Sequence, residues 1–89
     1  MFLHLGNNIS IPLKNLLGVF DLEFTTTTGT TREVLKRAEN EGRVYNVSDD
    51  MPVSFVVVKE ILSETGEEVN FIYLTPISAS TLKKRVMLY

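Results

Sequence analysis

The 89-residue sequence has the length of a single domain, 1–89, and a chain this short buries only a thin hydrophobic core. Its composition is 44% hydrophobic and 22% charged with no cysteine, which is typical of a globular protein and excludes disulfides and thiolate metal sites. The net charge of −2 argues against a nucleic-acid binder that uses its whole surface, but a local basic patch is compatible with it. The start MFLHLGNN lacks the basic region of a signal peptide and no apolar run has the length of a membrane span, so we expect a cytoplasmic protein.

Three short strands are predicted in the first part of the chain. Residues 2–5 form the first strand, and the Gly6-Asn7-Asn8 cluster, whose residue types tolerate positive φ, predicts a turn into a second strand over 9–13. Pro12 places part of that second strand at an edge or a bulge, because it cannot donate to a ladder. The run LLGVF, Leu16 to Phe20, is the third strand, and Gly18 indicates a bulge or a close backbone approach.

A helix is predicted next. The segment from Glu23 to Gly29, rich in threonine, predicts a loop. The sequence TTRE from Thr30 matches a capping box, and the helix should run to about Glu41, where Gly42 supplies a left-handed stop. Glu39 and Arg43 are spaced for an ion pair at the helix end, whereas the like-charged Arg32 and Lys36 suggest an anionic partner.

The most apolar part of the chain follows a short predicted strand over 44–47. Val53 to Glu60, VSFVVVKE, is a strand whose apolar side chains occupy nearly consecutive positions, so both of its faces need cover. The polar segment Ser63 to Glu68 then separates it from a second apolar run, Phe71 to Thr75. This pattern predicts a β-hairpin.

A second helix is predicted after Pro76, which ends the last strand. Ser78 or Ser80 caps this helix, which should continue to about Leu88. It carries the basic run KKR at 83–85. Cations near a helix C-terminus complement the macrodipole, but the same run would also face phosphates well, and the residues alone leave both interpretations open.

Together these elements predict an α+β domain, a small and mostly antiparallel sheet with two short helices. Two short helices should not cover both faces of LLGVF and VSFVVV, so we expect a second copy to cover the rest and the chain to form a homo-oligomer. The candidate oligomer contacts are apolar side chains of these two runs: Leu16, Leu17, Val19, Phe20, Phe55 and Val57.

No catalytic constellation accompanies the sheet. The sequence offers neither an activated nucleophile nor a loop that would cradle phosphate, so we expect no enzymatic activity and no cofactor. His4 is the single histidine, and the adjacent carboxylates of Asp49 and Asp50 rarely face one point. We therefore interpret them as a strand residue and a polar turn, without a metal.

Five segments carry a resemblance to a known family: FLHLGNNISI, KNLLGVFD, REVLKRAENEG, SFVVVKE and IYLTPISASTLKKR. In order and spacing they resemble the RemA/RemB family, small bacterial regulators of extracellular-matrix (biofilm) genes, and the last two are closer to the RemB branch. The resemblance implies a LytTR-like sheet fold, assembly into a closed ring, and duplex DNA bound around that ring by basic residues in transcription regulation. The hairpin segment Leu62 to Asn70 departs from it, because it is longer than the family pattern implies.

The cationic positions of the family are largely absent from this chain. The resemblance places them at Asn15 and at Met51-Pro52, with a further basic position at Ser54, and none of these residues is a cation. The DNA-binding candidates that remain are the other basic residues near the matched segments: Lys14, Arg32, Lys36, Arg37, Lys83, Lys84 and Arg85.

Two hypotheses therefore stay open. The first is a ring-forming regulator that binds duplex DNA, which the resemblance and the basic run at 83–85 favour. The second is an oligomeric protein-interaction or scaffold module without direct DNA binding, with a paralogous regulator as a candidate partner. The net charge and the missing cations favour the second.

Overall fold

The fold is built on one mixed sheet with a two-stranded ribbon attached. The computed structural model describes residues 1–25 and 29–87. The elements in chain order are β1 (Phe2–Gly6), β2 (Ile9–Pro12), a 3-10 turn (Leu13–Asn15), β3 (Leu16–Asp21), α1 (Leu22–Thr25), α2 (Gly29–Asn40), β4 (Val44–Asn46), β5 (Ser54–Ile61), β6 (Glu68–Thr75) and α3 (Ala79–Met87). Strands β1 and β2 form the antiparallel ribbon, and the sheet has the order β3-β5-β6-β4. Within the described ranges β4 runs parallel to β6 and the other neighbours are antiparallel, so the predicted α+β, mostly antiparallel architecture is confirmed.

The central hairpin is confirmed and is longer than predicted. Strand β5 pairs with β6 along its whole length, from Ser54 opposite Thr75 to Ile61 opposite Glu68. Strand β6 therefore begins at Glu68 and not at Phe71. The polar side chains of Glu68 and Asn70 do not prevent pairing, because main-chain groups make the ladder.

The glycine in β3 allows an aromatic ring to lie against the backbone. The ladder between β3 and β5 shifts register between Leu16 and Gly18, which confirms the predicted bulge. A Cβ added at Gly18 would lie 2.6 Å from Cε2 of Phe20, far inside van der Waals contact. The Phe20 ring also stacks on Phe55, with a centroid distance of 5.1 Å.

The segment after β3 differs from the predicted loop. Residues 22–25 form the short helix α1, at whose start Glu23 N donates to Asp21 Oδ1 over 2.9 Å. An aspartate at this position stabilises a helix start, which the threonine-rich composition concealed. Gly29, the last residue of the predicted loop, is the first residue of α2. Residues 26–28 of the predicted loop lie outside the described part.

The end of α2 is as predicted, but the ion pair there is not. Gly42 adopts φ 72° just past the helix and supplies the stop. Arg43 pairs with Glu41 and not with Glu39, with Nε donating to Oε2 over 2.8 Å. The left-handed glycine turns the chain out of the helix, so the i,i+4 spacing no longer applies. The capping box depends on the side chain of Thr30, which lies outside the described residues.

The two faces of the sheet carry different cover. Adjacent residues of β5 point to opposite faces. Val56 is fully buried in a large cluster with the ribbon and α3, whereas Phe55 is buried in a small cluster with Ala38 of α2. We call these the ribbon face and the α2 face. As expected, two helices alone do not cover both faces of β5: on the ribbon face the β1–β2 ribbon covers Val56 together with α3. Cover of the remaining apolar surface by a second copy stays a prediction.

Two buried hydroxyl groups join the ribbon face to its cover. Thr75 Oγ1 donates to the carbonyl of Leu5 over 2.6 Å and accepts from the amide of Ile77 at 3.1 Å. Ser54 Oγ donates to the carbonyl of Ile77 over 2.5 Å. Both side chains are 0% exposed, and buried hydroxyls need such partners because their desolvation is costly. We call these contacts of Thr75 and Ser54 the hydroxyl clamp. It links β1 and the segment before α3 to the end of the hairpin.

Candidate functional site

The basic residues proposed from the sequence do not form one surface. Helix α3 packs through Ala79 and Leu82 on the ribbon face, while α2 packs through Ala38 on the α2 face. The cations carried by α2 and those carried by α3 therefore lie on opposite sides of the sheet. A single flat contact made by one chain cannot use both sets.

Helix α3 presents an exposed basic pair. Ser78 caps it, because Ser78 Oγ accepts from the amide of Thr81 at 3.2 Å, and the buried Leu82 fixes its orientation. Lys83 and Lys84 are both exposed. The sequence of α3, ASTLKKRVM, contains no acidic residue, so no carboxylate of its own helix reduces the positive charge of this surface.

Arg85 has a different role from the two lysines that precede it. Its Nη1 donates to the carbonyl of His4 over 3.0 Å, and the residue is half-buried. This contact ties the last turn of α3 to β1. The sequence groups Arg85 with the lysines because it shows three adjacent cations, but the structure makes Arg85 a link between elements and leaves Lys83 and Lys84 as the exposed pair.

The remaining basic candidates lie in less favourable surroundings. Arg32, Lys36 and Arg37 are exposed on α2, but Glu33 and Glu39 share that helix and reduce its net charge to +1. Lys14 is exposed in the 3-10 turn before β3. The α2 cations thus offer a weaker positive potential than α3 does, and Lys14 is a single cation in its turn.

The candidate oligomer contacts separate by burial. Val19 is 8% exposed and Phe55 is 5% exposed, so both hold the interior of a single chain and offer no contact area to another. Leu16 and Val57 are half-buried against the two clusters. Leu17 and Phe20 are exposed at 55% and 39%, and they are the members of the set that a second copy can reach.

A groove of about 440 Å³ lies between α2 and the sheet. Its floor is apolar and is formed by Ala38, Phe55, Val57 and Ile72. Val34 stands at its side and is 57% exposed. Sequence reasoning did not find this groove. Its signal in the sequence is the apolar stripe of α2, Val34, Leu35 and Ala38, which is too narrow to cover the strands beneath it.

Charged groups surround the groove. Glu33, Arg37 and Arg43 line it. Arg43 is already engaged, since its Nη1 donates to the carbonyl of Asn70 over 2.6 Å in addition to its pair with Glu41. Arg37 is exposed on α2, and the lining residues together carry a net charge of +1.

The chain is 31% identical over 85 residues to extracellular matrix regulatory protein B of Bacillus subtilis, and the alignment covers 96% of this chain and 89% of that protein. The chain belongs to the RemA/RemB family. This confirms the resemblance drawn from the sequence, including its closeness to the B branch, and identifies the chain as a relative of extracellular-matrix regulators. No family model matches the chain.

The positions at which the RemA/RemB resemblance places cations differ in their exposure to solvent. Asn15 is half-buried at the end of the 3-10 turn, Met51 is 85% exposed, and Pro52 is half-buried beside it. The fully buried Ser54 belongs to the hydroxyl clamp. Of these four positions in the RemA/RemB-family chain, Met51 is the exposed one, and it is apolar and not basic.

An aromatic group lies where β4 meets β6 on the ribbon face. Tyr45 stacks on Phe71 and on Tyr73, with centroid distances of 5.7 and 5.5 Å. Burial, with smaller contributions from Glu60 and Tyr45, raises the pKa of Tyr73 above its ordinary value of 10.0. Tyr73 therefore stays a neutral hydrogen-bonding group at physiological pH.

The described part of the chain offers neither a cluster of metal ligands nor a membrane-spanning helix. Residues 1–25 and 29–87 contain no group of three or more histidine or acidic side chains placed to hold a metal ion. In the same residues no helix has the length and apolar character needed to cross a membrane.

Proposed function

We propose that this RemA/RemB-family chain regulates extracellular-matrix gene expression as an assembly of identical copies that binds duplex DNA through Lys83 and Lys84. The observation that carries the proposal is the surface of α3, where two exposed lysines stand without a carboxylate on their own helix. The family supplies the regulatory role. A LytTR-like fold, a closed ring and a cytoplasmic location belong to the same proposal, and no catalysis is part of it.

Repetition is needed because the patch on one chain is small. Two lysines neutralise up to two phosphates, and each contact changes the slope of log K against log salt by about −0.9. Binding by one copy would be weak. Several copies in one assembly raise the affinity through effective concentration, without any new type of contact.

The test is a salt titration of DNA binding with matched charge variants. Lys83→Ala with Lys84→Ala removes the proposed contacts and retains the Arg85 link to His4. Arg32→Ala with Lys36→Ala removes the same charge from the opposite side of the sheet and is the control. We expect the first pair to flatten the slope by about 1.8 per chain engaged on the DNA and to weaken binding to all sequences equally, because phosphate contacts carry no base code.

Two outcomes would contradict DNA binding by α3. One is that the α3 variant binds as tightly as the parent, in which case the lysines only complement the helix macrodipole. The other is that the parent does not bind duplex DNA at about 50 mM salt, where such contacts are strong.

A protein-interaction module is the second candidate function. The net charge of −2 and the apolar, exposed Met51 at a position where the resemblance places a cation favour it. In that case the assembly would act on a paralogous regulator and not on DNA. Failure of the parent to bind DNA, together with assembly in solution, would support this function.

A further inference from the structure

The hairpin extends past the rest of the sheet as a two-stranded arm. Strand β3 pairs with β5 only as far as Val58, and β4 pairs with β6 only from Ile72 onward. In the described residues, β5 and β6 continue past these points by pairing with each other, through Lys59 opposite Asn70 to Ile61 opposite Glu68. We call residues 59–70 the arm. Isolated two-stranded hairpins are marginal in water, so an arm of this kind gains from contact with another surface.

The tip of the arm is both apolar and acidic. Ile61 is 66% exposed and Leu62 is 39% exposed. All residues from 61 to 68 are exposed, and among them Glu64, Glu67 and Glu68 are acidic while none is basic. Glu68 pairs with Lys59 of the arm, Oε1 to Nζ at 3.5 Å, so Glu64 and Glu67 are the acidic side chains available to a partner. The turn itself is ordered, because Leu62 N donates to the carbonyl of Glu67 over 2.9 Å and Gly66 N donates to that of Leu62 over 2.8 Å.

The groove between α2 and the sheet has the complementary properties. Its floor is apolar, Arg37 is an exposed cation that lines it, and its volume of about 440 Å³ accommodates one or two aliphatic side chains. Opposite charge around an apolar contact fixes the orientation of a partner and disfavours wrong ones.

The arm tip and the groove of one chain cannot meet. Val57 lies on the groove floor and Ile61 lies at the arm tip of the same strand, roughly 13 Å further along at about 3.3 Å per residue. An arm tip that fills the groove must therefore belong to another molecule.

We propose that the arm tip of one copy, with Ile61 and Leu62, docks in the α2-face groove of a second copy, with its glutamates near Arg37. The two surfaces differ, so the contact is head-to-tail, and repetition closes a ring or continues as a filament. This inference rests on the self-association in the proposed function and names the surfaces that make it.

The first test removes each half of the contact separately. The arm variant is Ile61→Ser with Leu62→Ser, and the groove variant is Val34→Glu, which places a negative charge where the acidic tip would dock. The control, Met51→Ser with Val53→Ser, removes two other exposed apolar side chains. At concentrations on the order of tens of micromolar, light scattering should give the 10.1 kDa mass of one chain for both the arm and groove variants, and the parental mass for the control.

Mixing the two variants distinguishes a head-to-tail contact from a symmetric one. The arm variant keeps its groove and the groove variant keeps its arm, so an equal mixture retains one intact contact. We expect a one-to-one dimer and nothing larger. No dimer in the mixture would overturn the proposal.

Disulfide trapping gives a second measurement, because a covalent bond accumulates even when the contact is short-lived. The chain has no cysteine, so Leu62→Cys in one copy and Val34→Cys in another report their own proximity. The mixture should form a crosslinked dimer, whereas Leu62→Cys mixed with Met51→Cys should form much less.

The remaining outcomes separate this inference from the proposed function. A parent that assembles while the arm variant retains its parental mass would overturn arm docking and leave assembly through another surface. A parent that is a monomer would overturn arm docking and assembly together. DNA binding by Lys83 and Lys84 is measured independently in the salt titration, so its failure would not be mistaken for failure of the arm contact.

Discussion

The two faces of the sheet show two ways in which a short chain uses apolar strands. The ribbon face is closed by β1, β2 and α3 around fully buried residues such as Leu3 and Leu82, and hydroxyl groups clamp its cover in place. The α2 face buries only Ala38, Phe55 and Ile72 among the described residues and keeps a groove beside them. The difference indicates that stability is concentrated on one face, while the other retains an apolar groove.

The largest expected change in stability comes from truncating one leucine on each face. Leu82→Ala should lower the free energy of unfolding by about 2–5 kcal/mol, because Leu82 is 0% exposed and its removal leaves a cavity. Leu35→Ala on α2, which removes the same atoms from a half-buried side chain, should cost about 1 kcal/mol. Urea unfolding of both variants measures the difference, and equal losses would show that the two faces contribute alike.

The hydroxyl clamp should give the next largest effect. Thr75→Val keeps the shape of the side chain but leaves the carbonyl of Leu5 without its donor, at a cost of about 1–3 kcal/mol. Thr65→Val is the control, because the Thr65 hydroxyl accepts a hydrogen bond from Glu67 N in an exposed turn. Loss of the Thr65 hydroxyl should change the free energy of unfolding by less than about 0.5 kcal/mol. Indistinguishable midpoints in urea for the two variants would argue against the clamp.

On the α2 face, Gly18→Ala should displace the Phe20 ring and change the stability only slightly. The new methyl group would displace Phe20, whose stack on Phe55 is worth about 0.5–1.5 kcal/mol. Lower entropy of the unfolded chain offsets about 0.4–1 kcal/mol of that loss. We therefore expect a net destabilisation below about 1 kcal/mol with a clear change in the NMR ring shifts of Phe55. Gly29→Ala, where an added Cβ meets nothing within 4 Å, should leave those shifts unchanged.

The smallest effect concerns alkaline pH on the ribbon face. The pKa of Tyr73 is raised in the folded state, first by burial and then by Glu60, so the unfolded chain loses this proton more readily. The associated stability is fully present below the ordinary pKa of 10.0 and is lost as pH rises above it, through the folded pKa. Tyr73→Phe should remove this part of the pH dependence in urea melts between neutral and alkaline pH. If the unfolding free energy of Tyr73→Phe falls with alkaline pH as steeply as that of the parent, other groups cause this pH dependence.

The sequence predicts well those features that depend on local residue types. The hairpin of β5 and β6, the left-handed turn at Asn7 and Asn8, the Gly18 bulge and the Gly42 helix stop all follow from residue preferences over a few positions. The family also follows, since the matched segments span most of the chain.

Features that depend on contacts distant in sequence were not predictable in the same way. Whether β5 lacks cover depends on where the β1–β2 ribbon docks, and no local pattern encodes this. Arg85 resembles its lysine neighbours until the chain brings the carbonyl of His4 next to it. The groove likewise becomes visible only when α2 is placed across the strands, because its lining comes from separate segments.

The clamp between Thr75 and Leu5 also has a consequence for biosynthesis. The two residues are separated by 70 positions, and the contact of Arg85 with His4 spans 81. During translation the β1–β2 ribbon leaves the ribosome long before the strand end and the helix that hold it. Until they emerge, the apolar side chains of the ribbon have no docking site, and contacts of such long sequence separation form slowly. The ribbon face is therefore expected to close only after α3 has been synthesised.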